Sequence, residues 1–177
     1  MLSHAGRVLN GFIGGWFLTA IYMLHSGNFL TPAWTGPDPT GTIFTGNSTP
    51  AQVTIRPNCI ADPNALSGPQ TVNQWFNPAA FAAPSAGAFG SCAKGVIKGP
   101  GISQLNAGTG KDFHLAERVK IRLELRAENV FNHPNWSEPG LNISAVSQVG
   151  VITGVGGVNT YDSPGMRFLR YGARVEW

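Results

Sequence analysis

The chain has few charged residues and no long run of one sign. Asp, Glu, Lys and Arg make 12% of its 177 residues, about half the usual share. The formal net charge is only +3, and no block of five like charges occurs. A nucleic-acid partner is therefore not predicted.

The sequence also lacks the residue patterns of common catalytic, cofactor and metal sites. No Gly-x-Ser-x-Gly segment occurs, and no His-x-x-x-His or Glu-x-x-His spacing indicates zinc. The segment "AGTGKD" suggests a phosphate loop, but Leu105 and Asp112 stand where that loop needs Gly and Ser or Thr. We therefore predict no enzyme and no catalytic, cofactor-binding or metal-binding residue.

No apolar run is long enough for a membrane-spanning helix. The longest, residues 12–24, has 13 residues, whereas such a helix needs about 20. A signal-peptide core fits this length, but the expected small-x-small cleavage site is missing, and the best candidate, at residues 24–26, is poor. Trp16, Tyr22 and the Gly-Gly pair favour a strand instead.

Glycine and proline are abundant, and cysteine is rare. The 23 glycines and 13 prolines interrupt the chain throughout, which argues against long helices. Cys59 and Cys92 are 33 residues apart and match no metal motif. They would form a disulfide in an oxidising compartment, or else they are two unrelated thiols.

Four segments alternate between apolar and polar residues with a period of two. Residues 119–131 are the clearest, with Ile121, Leu123 and Leu125 on one side and Lys120 and Arg122 on the other. Such alternation predicts strands with one apolar face. The predicted strands are residues 9–24, 102–115, 119–131 and 166–177, and their lengths suit tilted strands that cross a bilayer.

The charged side of residues 119–131 allows two interpretations. It is either a lumen wall that contacts a ligand or plug, or a solvated face whose charges neutralise one another. The alternating signs of Lys120, Arg122, Glu124, Arg126 and Glu128 favour the second interpretation. Arg170, Arg174 and Glu176 on the neighbouring strand would extend the charges into a ladder.

The connections between the predicted strands differ greatly in length. Only three residues separate 102–115 from 119–131, whereas 27–100 and 132–164 are long loops. Short turns on the periplasmic side and long extracellular loops are typical of outer-membrane barrels. The sequence thus predicts an all-β fold: antiparallel strands of an incomplete transmembrane β-barrel with long loops.

Two further segments resemble a known family. "NQWFNPAAFAAPSAGAFG" and "GPGISQLNAGTGKDFHLAERVKIRLELRAENVFNHPNW" are similar to the C-terminal β-barrel of TonB-dependent outer-membrane receptors. The closest likeness is to the Oar-like branch, whose full-length members carry a carboxypeptidase-regulatory-like domain. The resemblance implies a bacterial outer-membrane location and partners in the membrane lipid, the plug and the rest of the receptor barrel. TonB would be a partner only through an N-terminal part not visible here.

The last seven residues, "YGARVEW", are similar to the signal by which the barrel assembly machinery recognises outer-membrane proteins. Tyr171, Gly172, Val175 and Trp177 fill the places of that signal. Four strands are too few to close a barrel, which needs about eight. Residues 1–177 are therefore expected to be a fragment of a larger receptor, inactive alone. The alternative is a secreted soluble β-sheet binding module stabilised by a Cys59–Cys92 disulfide.

Overall fold

A computed structural model describes residues 13–43, 51–115, 118–156 and 165–177. The chain divides into two compact units. We call residues 1–25, 102–135 and 157–177 the sheet unit, and residues 26–101 and 136–156 the loop unit. Each is described by itself.

Within the described ranges, the regular elements are β-strands and one 3₁₀ turn at Pro78–Ala80. The sheet unit contains β1 (Trp16–His25), β8 (Ile102–His114), β9 (Lys120–Glu128) and β10 (Phe168–Glu176). The loop unit contains β2 (Phe29–Leu30), β3 (Trp34–Pro37), β4 (Gln52–Ile55), β5 (Asn58–Cys59), β6 (Phe81–Ala82) and β7 (Ile97–Lys98). No helix in this part of the chain has the length and apolar character that a membrane crossing needs.

The sheet unit is a single antiparallel sheet with the order β1-β8-β9-β10. Each strand of the sheet unit therefore pairs with the next strand of that unit along the chain. The connection from β1 to β8 is long, because it contains most of the loop unit. The sheet is not closed, because β1 and β10 remain its two edges among the described residues. The all-β antiparallel fold with an incomplete barrel sheet is therefore confirmed.

The short and long connections lie at opposite ends of this sheet. At one end His114 faces Lys120, and the amide of Leu115 donates to the carbonyl of Val119 at 3.0 Å. At the other end His25 faces Ile102 and Phe168 faces Glu128. Both long connections depart from that second end.

The strands are placed as the alternation predicts, but their ends differ. For the predicted strand 9–24 the structure shows β1 from Trp16, while residues 9–12 lie outside the described ranges. The segment predicted to run to residue 131 ends at Glu128. The reason is that Asn129 and Asn132 have φ of 49° and 52°, a left-handed conformation in which asparagine is enriched. The segment predicted as 166–177 forms a strand over Phe168–Glu176.

Asn129 holds the chain at the end of β9. Its Nδ2 donates to the His133 carbonyl at 2.8 Å, and its Oδ1 accepts from the His133 amide at 3.0 Å. The Asn129 amide donates to Oδ1 of Asn106 at 3.0 Å. Since Asn129 is fully buried, these bonds satisfy groups that water cannot reach.

The loop unit has a core of its own, although its sequence was predicted only as loops. Phe76 and Phe81 pack edge to face with their ring centroids 5.9 Å apart. The buried residues of this core are Leu30, Phe76, Ala80, Phe81, Cys92, Ile97 and Val149. Both segments of the loop unit, 26–101 and 136–156, contribute residues to this core. A hydrogen bond from the Trp75 amide to the Gly150 carbonyl, at 2.8 Å, also joins the two segments. Such contacts between distant residues leave no periodic pattern in the sequence.

Candidate functional site

The sheet unit has one apolar face that crosses all four strands. The register places Leu18, Thr109, Leu125 and Tyr171 in one row across the sheet. The even residues of β1 and the odd residues of β8, β9 and β10 share this face, as the alternation predicts. We call it the apolar face, and its apolar members are Trp16, Leu18, Ala20, Tyr22, Leu24, Leu105, Ala107, Phe113, Ile121, Leu123, Leu125, Ala127, Leu169, Tyr171, Ala173 and Val175.

Large side chains on the apolar face are exposed. Leu18 is 77% exposed and Tyr171 is 79% exposed. A monomeric soluble protein seldom exposes so continuous an apolar surface. The face is therefore suited to an apolar surrounding.

The opposite face, which we call the polar face, carries most of the charged residues of the four strands. Asp112 lies near the end of the sheet that carries the short connection, between two cations. Its Oδ1 accepts from Nε of Arg122 at 2.7 Å, its Oδ2 accepts from Nη2 of Arg122 at 3.0 Å, and Nζ of Lys120 lies 2.9 Å from Oδ2. A two-pronged arginine–carboxylate contact is among the stronger and more directional hydrogen-bonded pairs.

Three more ion pairs occupy the polar face. Arg170 on β10 reaches Glu128 on β9 at 3.2 Å, whereas the other two pairs join residues of the same strand. These are Arg126–Glu124 at 3.1 Å and Arg174–Glu176 at 3.1 Å. The acidic and basic side chains thus neutralise one another, in agreement with the second interpretation of the charged row.

An aromatic ring is built into the polar face by a glycine. A Cβ atom at Gly110 would overlap the ring of Phe17, which lies directly opposite on β1. The guanidinium of Arg122 lies 5.5 Å from the centre of the same ring, a cation–π distance. Because Gly110 has no side chain, the Phe17 ring can lie over the backbone of β8, between the sheet and the guanidinium of Arg122.

Lys111 is a charged residue that lies on the apolar face, opposite Trp16 and Leu123. Its position there was not predicted. Lys111 is 6% exposed, and its Nζ lies 4.8 Å from the Trp16 ring centre and 5.3 Å from that of Phe113. The signal was present in the sequence, because Lys111 has the same parity as Leu105, Ala107 and Phe113 in the predicted strand. Asp112 entered the sequence prediction only as a mismatch to the phosphate-loop pattern. In the structure its carboxylate forms ion pairs with both Lys120 and Arg122.

The four residues of the predicted insertion signal lie on or beside β10. Tyr171 and Val175 belong to the apolar face, with Leu125 and Ile121 opposite them. Gly172 lies on the polar face opposite Glu124. Trp177 follows the strand and is 93% exposed. The structure thus keeps these residues accessible at one edge of the sheet.

The two cysteines are joined in the loop unit. A disulfide connects Cys59 and Cys92, with their Cα atoms 4.8 Å apart, a distance common for such bonds. A cross-link over this separation of 33 residues stabilises a fold by about 3–4 kcal/mol, chiefly by restricting the unfolded chain.

A groove of about 280 Å³ lies on the polar face above Gly108. Its walls include Thr19, Asn106, Glu124 and Arg126. These side chains offer hydrogen-bond donors and acceptors, one negative charge and one positive charge. In the ranges that the structure describes, no three His, Cys, Asp or Glu side chains cluster as a metal site would require. The groove is thus lined largely by side chains of the polar face, including two acidic and two basic residues.

Comparison with models of protein families gives a match over most of the chain. The model of the outer membrane beta barrel domain matches residues 1–170. The chain belongs to the outer membrane beta barrel domain family. Comparisons with curated proteins and with solved structures found no match.

Membership of this family explains the two faces of the sheet. In outer-membrane barrels, residues alternate along each strand between an apolar exterior and a polar interior. The apolar face thus corresponds to the exterior of the barrel domain and the polar face to its interior. The chain is therefore an outer-membrane β-barrel protein.

Proposed function

We propose that this barrel domain is part of the barrel of a TonB-dependent outer-membrane receptor of the Oar-like type. Its role is that of a scaffold: the apolar face contacts outer-membrane lipid, and the polar face lines the receptor interior. We assign it no catalytic step, and on its own it transports no ligand.

The observation that carries this proposal is the predominantly apolar face that spans all four strands of an open sheet. In lipid, every backbone amide and carbonyl must be paired, and an unpaired group costs several kcal/mol. The outer edges of β1 and β10 have no strand partner among the described residues, so further receptor strands are needed to satisfy them. The plug is expected to contact the polar face, and TonB to act through the plug.

A secreted soluble binding module is the second candidate. The observation that favours it is the loop unit, which has its own core and a disulfide. Under this alternative the apolar face would pack on a second sheet in water.

Detergent-phase partition of the full chain separates the two candidates. We expect the chain in the detergent phase, and in the outer-membrane fraction of the bacterium that makes it. Recovery as a monomer in the aqueous phase would contradict the barrel proposal and support the soluble module.

A variant of Trp177 tests the proposed insertion signal. We expect Trp177→Ala to lower the amount of chain assembled in the outer membrane about tenfold, a loss equivalent to about 1.4 kcal/mol of recognition. Phe168→Ala is the matched control, since Phe168 is another exposed aromatic residue at the opposite end of β10. Equal assembly of both variants, measured by quantitative blotting of membrane fractions, would remove Trp177 from the signal.

A further inference from the structure

Hydrogen bonds join the two segments that carry the cysteines of the loop unit, residues 56–59 and 91–92, and we call this arrangement the clasp. The Cys92 amide donates to the Pro57 carbonyl at 3.1 Å, and Nη1 of Arg56 donates to the Cys92 carbonyl at 2.9 Å. On the other side, the Ser91 amide donates to Oδ1 of Asn58 at 3.0 Å. Because these bonds join residues 56–58 to 91–92, folding itself brings the two thiols together.

The two sulfur-bearing residues differ in exposure. Cys92 is 1% exposed within the core that contains Phe76 and Ile97. Cys59 is only partly buried, in β5 opposite Phe81. A protein-sized oxidant cannot reach Cys92 once this core has closed. The bond must therefore form in an intermediate whose clasp is made and whose core is still open, with Cys59 as the accessible thiol.

We propose that the loop unit is a substrate for thiol–disulfide exchange in the periplasm, and that this exchange precedes insertion of the sheet into the outer membrane. The proposal rests on the outer-membrane location given above. The oxidant is a protein disulfide of the thiol-oxidoreductase class, because the periplasm is kept oxidising by such proteins. After insertion the long connections would lie outside the cell, away from that oxidant.

The chemistry proceeds in two exchange steps. The Cys59 thiolate attacks one sulfur of the oxidant's disulfide, which forms a mixed disulfide and releases the other sulfur as a thiolate. The Cys92 thiolate then attacks Sγ of Cys59 and expels the oxidant as a dithiol. Overall the loop unit loses two electrons and two protons, and the oxidant's disulfide is reduced.

Pulse labelling of the full receptor in its own bacterium tests the order of events. At each time the cells are fractionated, and free thiols are tagged with a high-mass maleimide that shifts the band on a gel. We expect both thiols to be protected in chains that are still periplasmic. We also expect pairing to slow about tenfold when the oxidant is absent. Cys59→Ala/Cys92→Ala gives the untagged reference band.

Single variants test which thiol reacts first. Cys92→Ala should accumulate a mixed disulfide between Cys59 and the oxidant, and the matched variant Cys59→Ala should accumulate far less. The proposal is overturned by free thiols in the inserted chain, by pairing first seen in the outer-membrane fraction, or by equal trapping in both variants. Paired thiols in a chain that never reaches the outer-membrane fraction, even at the latest time, would support the exchange and contradict the proposed function instead.

Discussion

Gly110 and Phe17 illustrate how a single missing side chain shapes the polar face. The Phe17 ring occupies the space that a Cβ atom at Gly110 would need, and the carbonyl of Leu123 lies 2.8 Å from that position. Neither the ring nor the neighbouring strand can move far without disturbing the sheet. The glycine therefore serves packing here rather than backbone flexibility.

Substituting Gly110 by alanine should thus destabilise the sheet. We expect Gly110→Ala to lower the free energy of unfolding by about 1–3 kcal/mol, as overpacking does, and Phe17→Ala to recover part of the loss in the double variant. Gly172→Ala is the control, because its Cβ would meet only Glu124 Cβ at 3.8 Å. Urea unfolding of the detergent-solubilised protein measures the free energy of unfolding of the two glycine variants, of Phe17→Ala and of the double variant. Equal losses of this free energy in Gly110→Ala and Gly172→Ala would contradict the packing role of Gly110.

Asp38 organises a turn in the loop unit. Its Oδ1 accepts from the amide and hydroxyl of Thr40 at 2.9 and 2.7 Å, and its Oδ2 accepts from the Ile43 amide at 2.8 Å. The Thr40 hydroxyl bond is the main cause that lowers the pKa of Asp38 to about 2; burial opposes it, and the amide bond from Ile43 adds to it.

The lowered pKa of Asp38 predicts how this turn responds to acid. A carboxyl group whose folded pKa lies below its unfolded value of 3.8 stabilises the fold above that value. The contribution is lost as the pH falls from about 4 towards about 2. We expect hydrogen exchange at the amides of Thr40 and Ile43, corrected for intrinsic rates, to accelerate over this interval. Asp38→Asn should abolish the pH dependence, and an unchanged profile in that variant would exclude Asp38 as its source.

At the scale of the element, β1 offers the cleanest contrast between the two faces. Leu18 and Ile21 are aliphatic, lie three residues apart and are 77% and 65% exposed, yet they belong to opposite faces. An arginine on the lipid face of a barrel costs about 2–4 kcal/mol near the bilayer midplane, whereas interior substitutions are tolerated.

We therefore expect Leu18→Arg to destabilise the folded barrel protein in lipid by about 2–4 kcal/mol and Ile21→Arg to have little effect. Chemical unfolding from lipid vesicles provides the measurement. If both variants lost the same stability, the assignment of the faces of β1 would be wrong.

The strands and their faces were predictable because a period of two is a local property. Ile121, Leu123 and Leu125 alternate with Lys120, Arg122 and Glu124, and the register keeps them on opposite faces. The end of β9 was not predictable, because it depends on bonds from Asn129 to His133 and Asn106. The loop unit escaped prediction for a similar reason, because its core joins residues as far apart in the sequence as Leu30 and Val149.

At the scale of the whole molecule, the open four-stranded sheet is the feature that requires partners. The ion pairs of the polar face are partly exposed, and exposed pairs contribute about 0–1 kcal/mol each. These ion pairs therefore add little to the free energy of unfolding, and their main effect is to keep the polar face hydrated. The apolar face is suited to lipid on one side, and the outer edges of β1 and β10, which lack a strand partner in the described part of the chain, are suited to pairing with further strands.

The most direct test of the two-faced sheet measures lipid contact along β9 in the assembled outer-membrane protein. Each position from 120 to 128 is replaced in turn by cysteine, labelled with a fluorophore, and exposed to lipids that carry brominated chains. The account predicts strong quenching at Ile121, Leu123, Leu125 and Ala127 and weak quenching at the positions between them. Uniform quenching, or the absence of quenching at all nine positions, would contradict a barrel strand with one face in lipid.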